Sequence, residues 1–462
     1  VLFWLGERAA HLSSLWCMAE LEESAVIAAA APGGKVEATD VAGADSKQGH
    51  AEQSVSGTDV ANSFSQHVLT PEFFERHWER YPLHYRAAEH GPAGNLLPSV
   101  LTVDDIVSVI RRSGPSLKMF RHGEPYDTDS FLFAYMDGAS MIINQADRHH
   151  PVLYQLSRTL ADLHFMHVFG VVYLTPPNSQ AVRLHNDDQD VFLMQVWGRK
   201  KWTIREAPQL LCYTEEMLGK DKPVPRELEG KAVMEFTMEP HDVLYMPRGF
   251  LHEAATGNDE SSLHVTITIP TSDYCWGVQV LKHMVSHLST QELPKSIAPA
   301  IGIPSGLGPQ VPDDEELDAL LQDKVGSWLS NLNVDGLLDA FDRRMARTNE
   351  GQTKTFEKSM DLRLRPFVAE VSRVRLMHGV ICMCEPGSDV AVFQRTADRQ
   401  RLEMPISPSA SELVRSLTSK PQRVADLPCR DAFQRICVLQ LLHQQGVVQL
   451  FLADADEKTI MP

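Results

Sequence analysis

The sequence predicts a mixed α+β chain with an antiparallel β-sandwich or small barrel at its centre and helices on both sides. Three observations predict it. Between Met141 and Ile269, short apolar runs recur with Gly and Pro clusters between them, the pattern of successive short strands. Before Met141 and after Ser272, apolar residues recur instead at helical spacing. The 462 residues are 43% hydrophobic and 23% charged, which is globular composition with enough apolar material for a core that needs no covalent staples. At about 150 residues per domain the length suggests about three units.

The chain opens on Val1 rather than Met, and residues 1–17 lack the basic start and small-residue cleavage site of a secretory signal, so translation is expected to begin at Met18. Ala19 to Gln66 is rich in Ala, Gly, Ser and Asp. It buries too little to offset its ordering entropy, so residues 1–66 are expected to form a flexible tail. Order should begin at Thr70, an N-cap followed by Pro71, with Phe73, Phe74, His77 and Trp78 at helical spacing. A second helix should start at Thr102, with Asp104 and Asp105 in its first turn and Ile106, Val109 and Ile110 on its buried face.

Strands are then expected at 141–143, 168–174, 191–196, 203–204, 243–246 and 263–269, interrupted by one helix near Pro151 to Phe165. The barrel with its N-terminal helices spans 67–272. Apolar residues return to helical spacing over Trp276–Leu288 and Leu317–Met345, with a Gly/Pro loop at Ile301–Pro309 between them, so 273–346 is read as a helical region. The polar stretch Arg347–Ser359 reads as part of a linker over 347–365. Residues 366–462 mix short strands with helices near Ser409–Leu417 and Asp431–Gln445.

The charge balance, 43 − 61 = −18, excludes any general attraction to nucleic-acid phosphates, so direct nucleic-acid binding is not expected and basic partners are favoured. Cys17, Cys212, Cys275, Cys382, Cys384, Cys429 and Cys437 form no CxxC, which suits free thiols in a reducing compartment. No run approaches the roughly 18 apolar residues of a membrane span.

Chemistry concentrates in 183–191. His185 and Asp187 stand two apart at a strand or its edge, where side chains at i and i+2 share a face, so an imidazole and a carboxylate can meet one metal ion. A third ligand should come from another strand, and the strand, Pro/Gly turn and His252 within 242–253 supply it. Two histidines and a carboxylate on one face of a metal are the triad of non-haem Fe(II) oxygenases, which leaves positions open for a 2-oxoacid and O₂. Taken by spacing alone, a solvated acidic strand edge and a loop histidine remain an equal reading. His149 and His150 read as a polar loop, His164 and His167 as a helix face, and His264 as a barrel-interior residue. No GxSxG elbow, P-loop or dinucleotide fingerprint is present.

The stretches Tyr-Leu-Thr-Pro-Pro-Asn-Ser-Gln (173–180), His-Asn-Asp-Asp (185–188), Gln-Val-Trp-Gly-Arg-Lys-Lys-Trp (195–202) and Met-Pro-Arg-Gly-Phe-Leu-His-Glu-Ala (246–254) resemble, in order and spacing, the JmjC ribosomal oxygenases. That family is also described as bifunctional lysine-specific demethylases and histidyl-hydroxylases. The similarity is clear over about Thr70–Pro270. It implies a double-stranded β-helix, the jelly-roll or cupin-like JmjC barrel, holding Fe(II) through His185, Asp187 and His252. It further implies that Lys200 meets the distal carboxylate of 2-oxoglutarate, with Tyr173 and Thr268 assisting. Lys at that place, where bacterial arginine-hydroxylating relatives carry Arg, leans toward the histidyl-hydroxylase branch. One departure is Val171, where the family usually carries Asn.

By the same resemblance, 366–462 is a winged-helix-like domain and 273–346 supports a homodimer. The substrate would be a ribosomal protein or a histone tail, and the compartment the nucleus or nucleolus. Histone lysine demethylation at the same site, and a non-catalytic binding scaffold, are the rival readings.

Overall fold

Helix α1 (Gly57–His67) opens the fold on a complete capping box: Ser56 and Asp59 bond each other's backbone N–H, and Val60, Ala61 and Phe64 are buried. This corrects the expected tail over 1–66. Three apolar side chains on one helical face suffice to dock the helix, yet they are too few to stand out in an Ala/Ser/Gly-rich composition. In this computed structural model the described residues are 55–452, apart from Asp221, Asp259 and 291–313. The Met18 start, most of the tail and the 301–309 loop therefore lie outside the described residues.

Helix α2 (Pro71–Arg76) follows, with Thr70 accepting from the Phe73 N–H and Pro71 at its first position. Strand β1 (Leu83–Tyr85), the short helix α3 (Ala87–His90) and helix α4 (Val103–Ser113) come next; α4 starts on a Thr102/Asp105 capping box and buries Ile106, Val109 and Ile110. Then follow β2 (Leu117–Arg121), β3 (Glu124–Pro125), α5 (Phe131–Met136) and β4 (Ser140–Ile143). Helix α6 (Pro151–Leu160) leads through a π turn at Ala161–Phe165 into β5 (Phe169–Thr175).

The centre is built by β5, β6 (Asp190–Trp197), β7 (Lys200–Arg205), β8 (Ala232–Met238), β9 (Val243–Met246), β10 (His252–Ala255) and β11 (Ser262–Ile269). One sheet has eight strands in the order β1-β9-β6-β11-β5-β4-β2-β3, and a second has three in the order β10-β7-β8. The described pairings are antiparallel, as the short strands and Gly/Pro turns predict.

Two-residue alternation divides each central strand between two compartments. Val172 and Leu174, Phe192, Met194 and Val196, and Leu263, Val265, Ile267 and Ile269 enter the large core shared with the helices. Val191, Leu193, Leu244 and Met246 face the other way, onto Trp202 and Ile204 of the small sheet. His264, Thr266 and Thr268 share that inward face of β11.

After Ser272 the chain forms α7 (Trp276–Thr290), α8 (Asp314–Asn331) and α9 (Val334–Met360). The single helix expected over Leu317–Met345 is broken, because Asn333 leaves helical geometry and caps α9 by accepting from the Gly336 N–H at 2.6 Å. The expected linker over 347–365 is corrected as well, since α9 runs through it to Met360. Its polar side chains bond into the body of the fold. Gln352 donates to Asp147 Oδ2 (2.7 Å) and the Val168 carbonyl (2.9 Å), His167 donates to Asn349 Oδ1 (2.7 Å), and Phe356 stacks on Tyr154 at 4.1 Å. His149, expected in a polar loop, is instead buried against Ser359 at 2.8 Å.

The C-terminal region comprises β12 (Arg373–Leu376), β13 (Val380–Met383), β14 (Val390–Arg395), β15 (Arg401–Pro405), α10 (Pro408–Ser416), β16 (Gln422–Arg423), α11 (Ala432–Gln444) and β17 (Val448–Phe451). It forms two three-stranded sheets, β16-β12-β17 and β13-β14-β15, around the buried helix α11. Tyr135 donates to Asp431 Oδ2 (2.6 Å) and packs edge-on against Phe433 (4.7 Å), while the Glu370 N–H donates to Asp104 Oδ1 (2.9 Å). These bonds fix the region to α5 and α4, and the described residues all lie in one compact unit.

Candidate metal centre

Backbone pairing brings His185 and His252 together. The two residues exchange both N–H···O=C bonds, at 3.1 and 2.8 Å, as an isolated antiparallel bridge at the start of β10. The Gly249 N–H then donates to the Asp187 carbonyl at 2.9 Å, pinning the turn before His252 onto the HxD segment. One ligand atom from each of His185, Asp187 and His252 lies within 4.8 Å of the other two. His252 Nε2 is 3.4 Å and His185 Nε2 3.9 Å from Asp187 Oδ2.

The orientation of the rings is fixed from behind. His185 Nδ1 bonds the Arg183 carbonyl at 2.7 Å and His252 Nδ1 bonds the Phe250 carbonyl at 3.0 Å. A carbonyl only accepts, so both Nδ1 atoms carry the proton and both Nε2 lone pairs face Asp187. Burial pushes both imidazoles below their ordinary range, with Lys220 adding to the effect at each, which keeps them neutral and able to ligate. Burial works to raise the Asp187 carboxyl, but the Lys220 ammonium, by its charge and its hydrogen bond, outweighs it and holds the carboxyl ionised below the usual carboxylate range. Two neutral imidazoles and one carboxylate fit a divalent transition metal with open coordination positions.

Beside this triad is a cavity lined by Tyr173, Lys200, Trp202, His264 and Thr266 among others. Lys200 is buried at the first position of β7 and donates to Thr175 Oγ1 at 3.0 Å. Burial drives its ammonium down to about 7. Among the described residues no carboxylate pairs with it. A buried cation that meets one hydroxyl and the Tyr173 and Trp202 rings at 6.0 and 5.9 Å, but no carboxylate, is costly, and an incoming anion removes the cost. His264 stacks on its cross-strand partner Tyr173 at 4.7 Å, and burial with the nearby Lys200 keeps its ring neutral. His264 Nδ1, Thr266 Oγ1 and Trp202 Nε1 are buried with no protein partner. These orphaned polar atoms, together with Lys200, fit a small anionic ligand with several oxygens.

The expected site residues do not all converge. Tyr173, Lys200, His185, Asp187 and His252 line one cavity. Thr268 shares the inward face of β11 but is not among the lining residues, whereas Thr266, two positions earlier, is. Val171 stands opposite Thr266 and packs with Ile142, Phe169 and Ala181 in a small apolar cluster. Sequence reasoning missed Lys220, whose Nζ lies 2.6 Å from Asp187 Oδ1. It missed Thr175 too, although Thr175 follows Tyr173 on the same face of β5.

Residues 144–275 match the family model described as the JmjC domain. The bifunctional lysine-specific demethylase and histidyl-hydroxylase NO66 of Aedes aegypti is 24% identical over 419 residues, covering 79% of this chain and 63% of that protein. The Drosophila mojavensis protein of the same name is 31% identical over 222 residues, 46% of this chain and 24% of that protein. The chain thus spans less than two thirds of the length of these relatives. Among solved structures, Escherichia coli ribosomal oxygenase YcfD is 16% identical, covering 82% of this chain and 98% of that one with a TM-score of 0.37.

Proposed function

We propose that this chain, which carries a JmjC domain over residues 144–275, is an Fe(II)- and 2-oxoglutarate-dependent oxygenase that hydroxylates a histidine side chain of a ribosomal protein. The observation that carries this reading is the convergence of His185, Asp187 and His252 beside a buried Lys200 that meets no carboxylate among the described residues. Iron and 2-oxoglutarate, when bound, supply the activation of O₂, with 2-oxoglutarate ending as succinate and CO₂.

The chain's own residues position and exclude. His185 and His252 present preset Nε2 lone pairs, and Asp187 presents Oδ2 between them. Lys200 meets the far carboxylate of 2-oxoglutarate as a point charge, and on doing so gains the partner its burial lacks. Thr266, His264 and Trp202 offer further polar atoms, and Tyr173 walls the cavity by stacking on His264. Val191, Leu193, Leu244 and Met246, packed on Trp202, keep water from the rear of the site.

The net charge of −18 supports a basic protein substrate such as a ribosomal protein. Lysine demethylation of a histone tail is the second reading, favoured by the paired activities in the names of the NO66 relatives. Exposed Trp276, Leu281, Leu329, Val334 and Leu338 on α7 to α9 support a homodimer formed through 273–346. The winged-helix-like reading of 366–462, and a nuclear or nucleolar location, belong to the same proposal and rest on the family resemblance.

The test presents ribosomal-protein peptides and methylated histone peptides to the iron-loaded protein and follows succinate and peptide mass together. A gain of one oxygen on histidine, matched one-to-one by succinate and absent in His185→Ala, supports hydroxylation. Loss of a methyl group supports the second reading, and no peptide-dependent succinate in the wild type refutes both.

A further inference from the structure

Asp187 has two oxygens, and they face different partners. Oδ2 is turned toward the histidine pair, while Oδ1 is bonded to Lys220 Nζ at 2.6 Å. The segment that carries Lys220 is not a loose loop. The Asn186 N–H donates to the Leu218 carbonyl (3.1 Å), and the Leu218 N–H donates back to Asn186 Oδ1 (2.6 Å). Asn186 Nδ2 also reaches the Gly249 carbonyl at 3.3 Å, so one side chain joins the HxD segment, the 218–220 segment and the turn before His252.

Gly219 makes the close approach feasible. Its φ of +81° is a left-handed value, and a Cβ there would collide with the Leu184 carbonyl and the His185 backbone. Lys220 is thereby delivered onto Asp187 from a segment with no regular secondary structure.

We propose that Lys220 is a positioning residue that clamps Asp187 Oδ1, so that the carboxylate offers the metal Oδ2 alone. This rests on the reading of His185, Asp187 and His252 as metal ligands. A carboxylate free to swing can take a metal through both oxygens and fill a position that a chelating cosubstrate needs. The clamp has a cost, because an ammonium beside the site repels a divalent cation. Lys220 therefore trades metal affinity for an open coordination position.

The experiment uses Co(II) as the probe on the full chain, anaerobically. It compares wild type, Lys220→Met and Lys220→Arg by calorimetric titration, visible absorption of the bound cobalt, and 2-oxoglutarate titration of the cobalt-loaded protein. Thermal unfolding of each variant controls for folding; Lys220 is one-third exposed, so the fold should tolerate the change. Lys220→Met should bind Co(II) about ten-fold tighter or more, shift the cobalt spectrum, and bind 2-oxoglutarate more weakly. Lys220→Arg, which restores a cationic donor, should return all three toward wild type.

A folded Lys220→Met with wild-type affinities and spectrum would overturn the clamp, as would a Lys220→Arg that behaves like Lys220→Met. A wild-type protein that takes up no Co(II) would instead sink the underlying reading of the three ligands.

Discussion

Lys200 is a buried ammonium held in the wall of the candidate site. Burial lowers its pKa from the ordinary 10.5 to about 7, so near neutral pH the free site holds a mixture of ammonium and amine. A dicarboxylate binds the ammonium, so above pH 7 binding must take up a proton. Affinity for 2-oxoglutarate should therefore fall as pH rises from 7, approaching ten-fold per unit, while below pH 7 this group adds no further gain. Titrations in buffers of different ionisation enthalpy would show the proton uptake directly. Lys200→Met should weaken binding by about 10- to 100-fold and abolish the uptake. An unchanged affinity in that variant would place the carboxylate elsewhere.

The limits of sequence reading also appear at this scale. An HxD at a strand edge and a Pro/Gly turn ahead of a histidine mark His185, Asp187 and His252 as candidates, but spacing alone leaves an acidic strand edge equally good, and the family resemblance decides between the two. Thr268 and Thr266 share one face of β11 by the two-residue period, so alternation cannot say which of them reaches the cavity. Lys220 left no pattern at all: it lies 33 residues from Asp187, on an irregular segment held by one asparagine and one glycine.

Among the elements, α1 and α9 show how composition misleads. The 57–67 segment looks like the tail before it, yet Phe64 is fully buried and meets Phe192 of β6 edge-on at 5.2 Å. Phe64→Ala should cost about 3–5 kcal/mol by denaturant unfolding. A change within a few tenths would return the segment to the tail. The polar stretch of α9 has the composition of a linker because polarity usually means solvent. Here Asn349, Gln352 and Ser359 answer buried groups on His167, Asp147 and His149. Gly219→Ala is the corresponding test of the 218–220 segment. Strain at positive φ plus the collision with the HxD backbone should destabilise the protein by about 1–3 kcal/mol, with the metal site loosened alongside.

Over the whole molecule, the C-terminal region is bonded to the barrel's helices rather than tethered to them. Asp431 accepts from Tyr135 and also caps α11 through the Phe433 and Gln434 N–H groups, and Arg435 forms a fork-like pair with Glu370, whose N–H reaches Asp104. Barrel and C-terminal region should accordingly unfold in one transition. Tyr135→Phe, which leaves a buried carboxylate one donor short, should lower stability by about 1–3 kcal/mol; two resolved transitions in the wild type would contradict this coupling. Changes of period along the sequence mark β5, β6, β9, β11 and part of β7, together with α2 and α4, but not β8 (Ala232–Met238) or β10 (His252–Ala255) of the small sheet. The docking leaves no such mark, because its bonds join residues as much as 296 positions apart.

The most direct measurement is an anaerobic Fe(II) titration in the presence of 2-oxoglutarate, comparing wild type with His185→Ala and His252→Ala. One ferrous ion per wild-type chain, with uptake lost in each variant, is the predicted result. A wild-type chain that binds no Fe(II), or variants that bind it equally well, would contradict it.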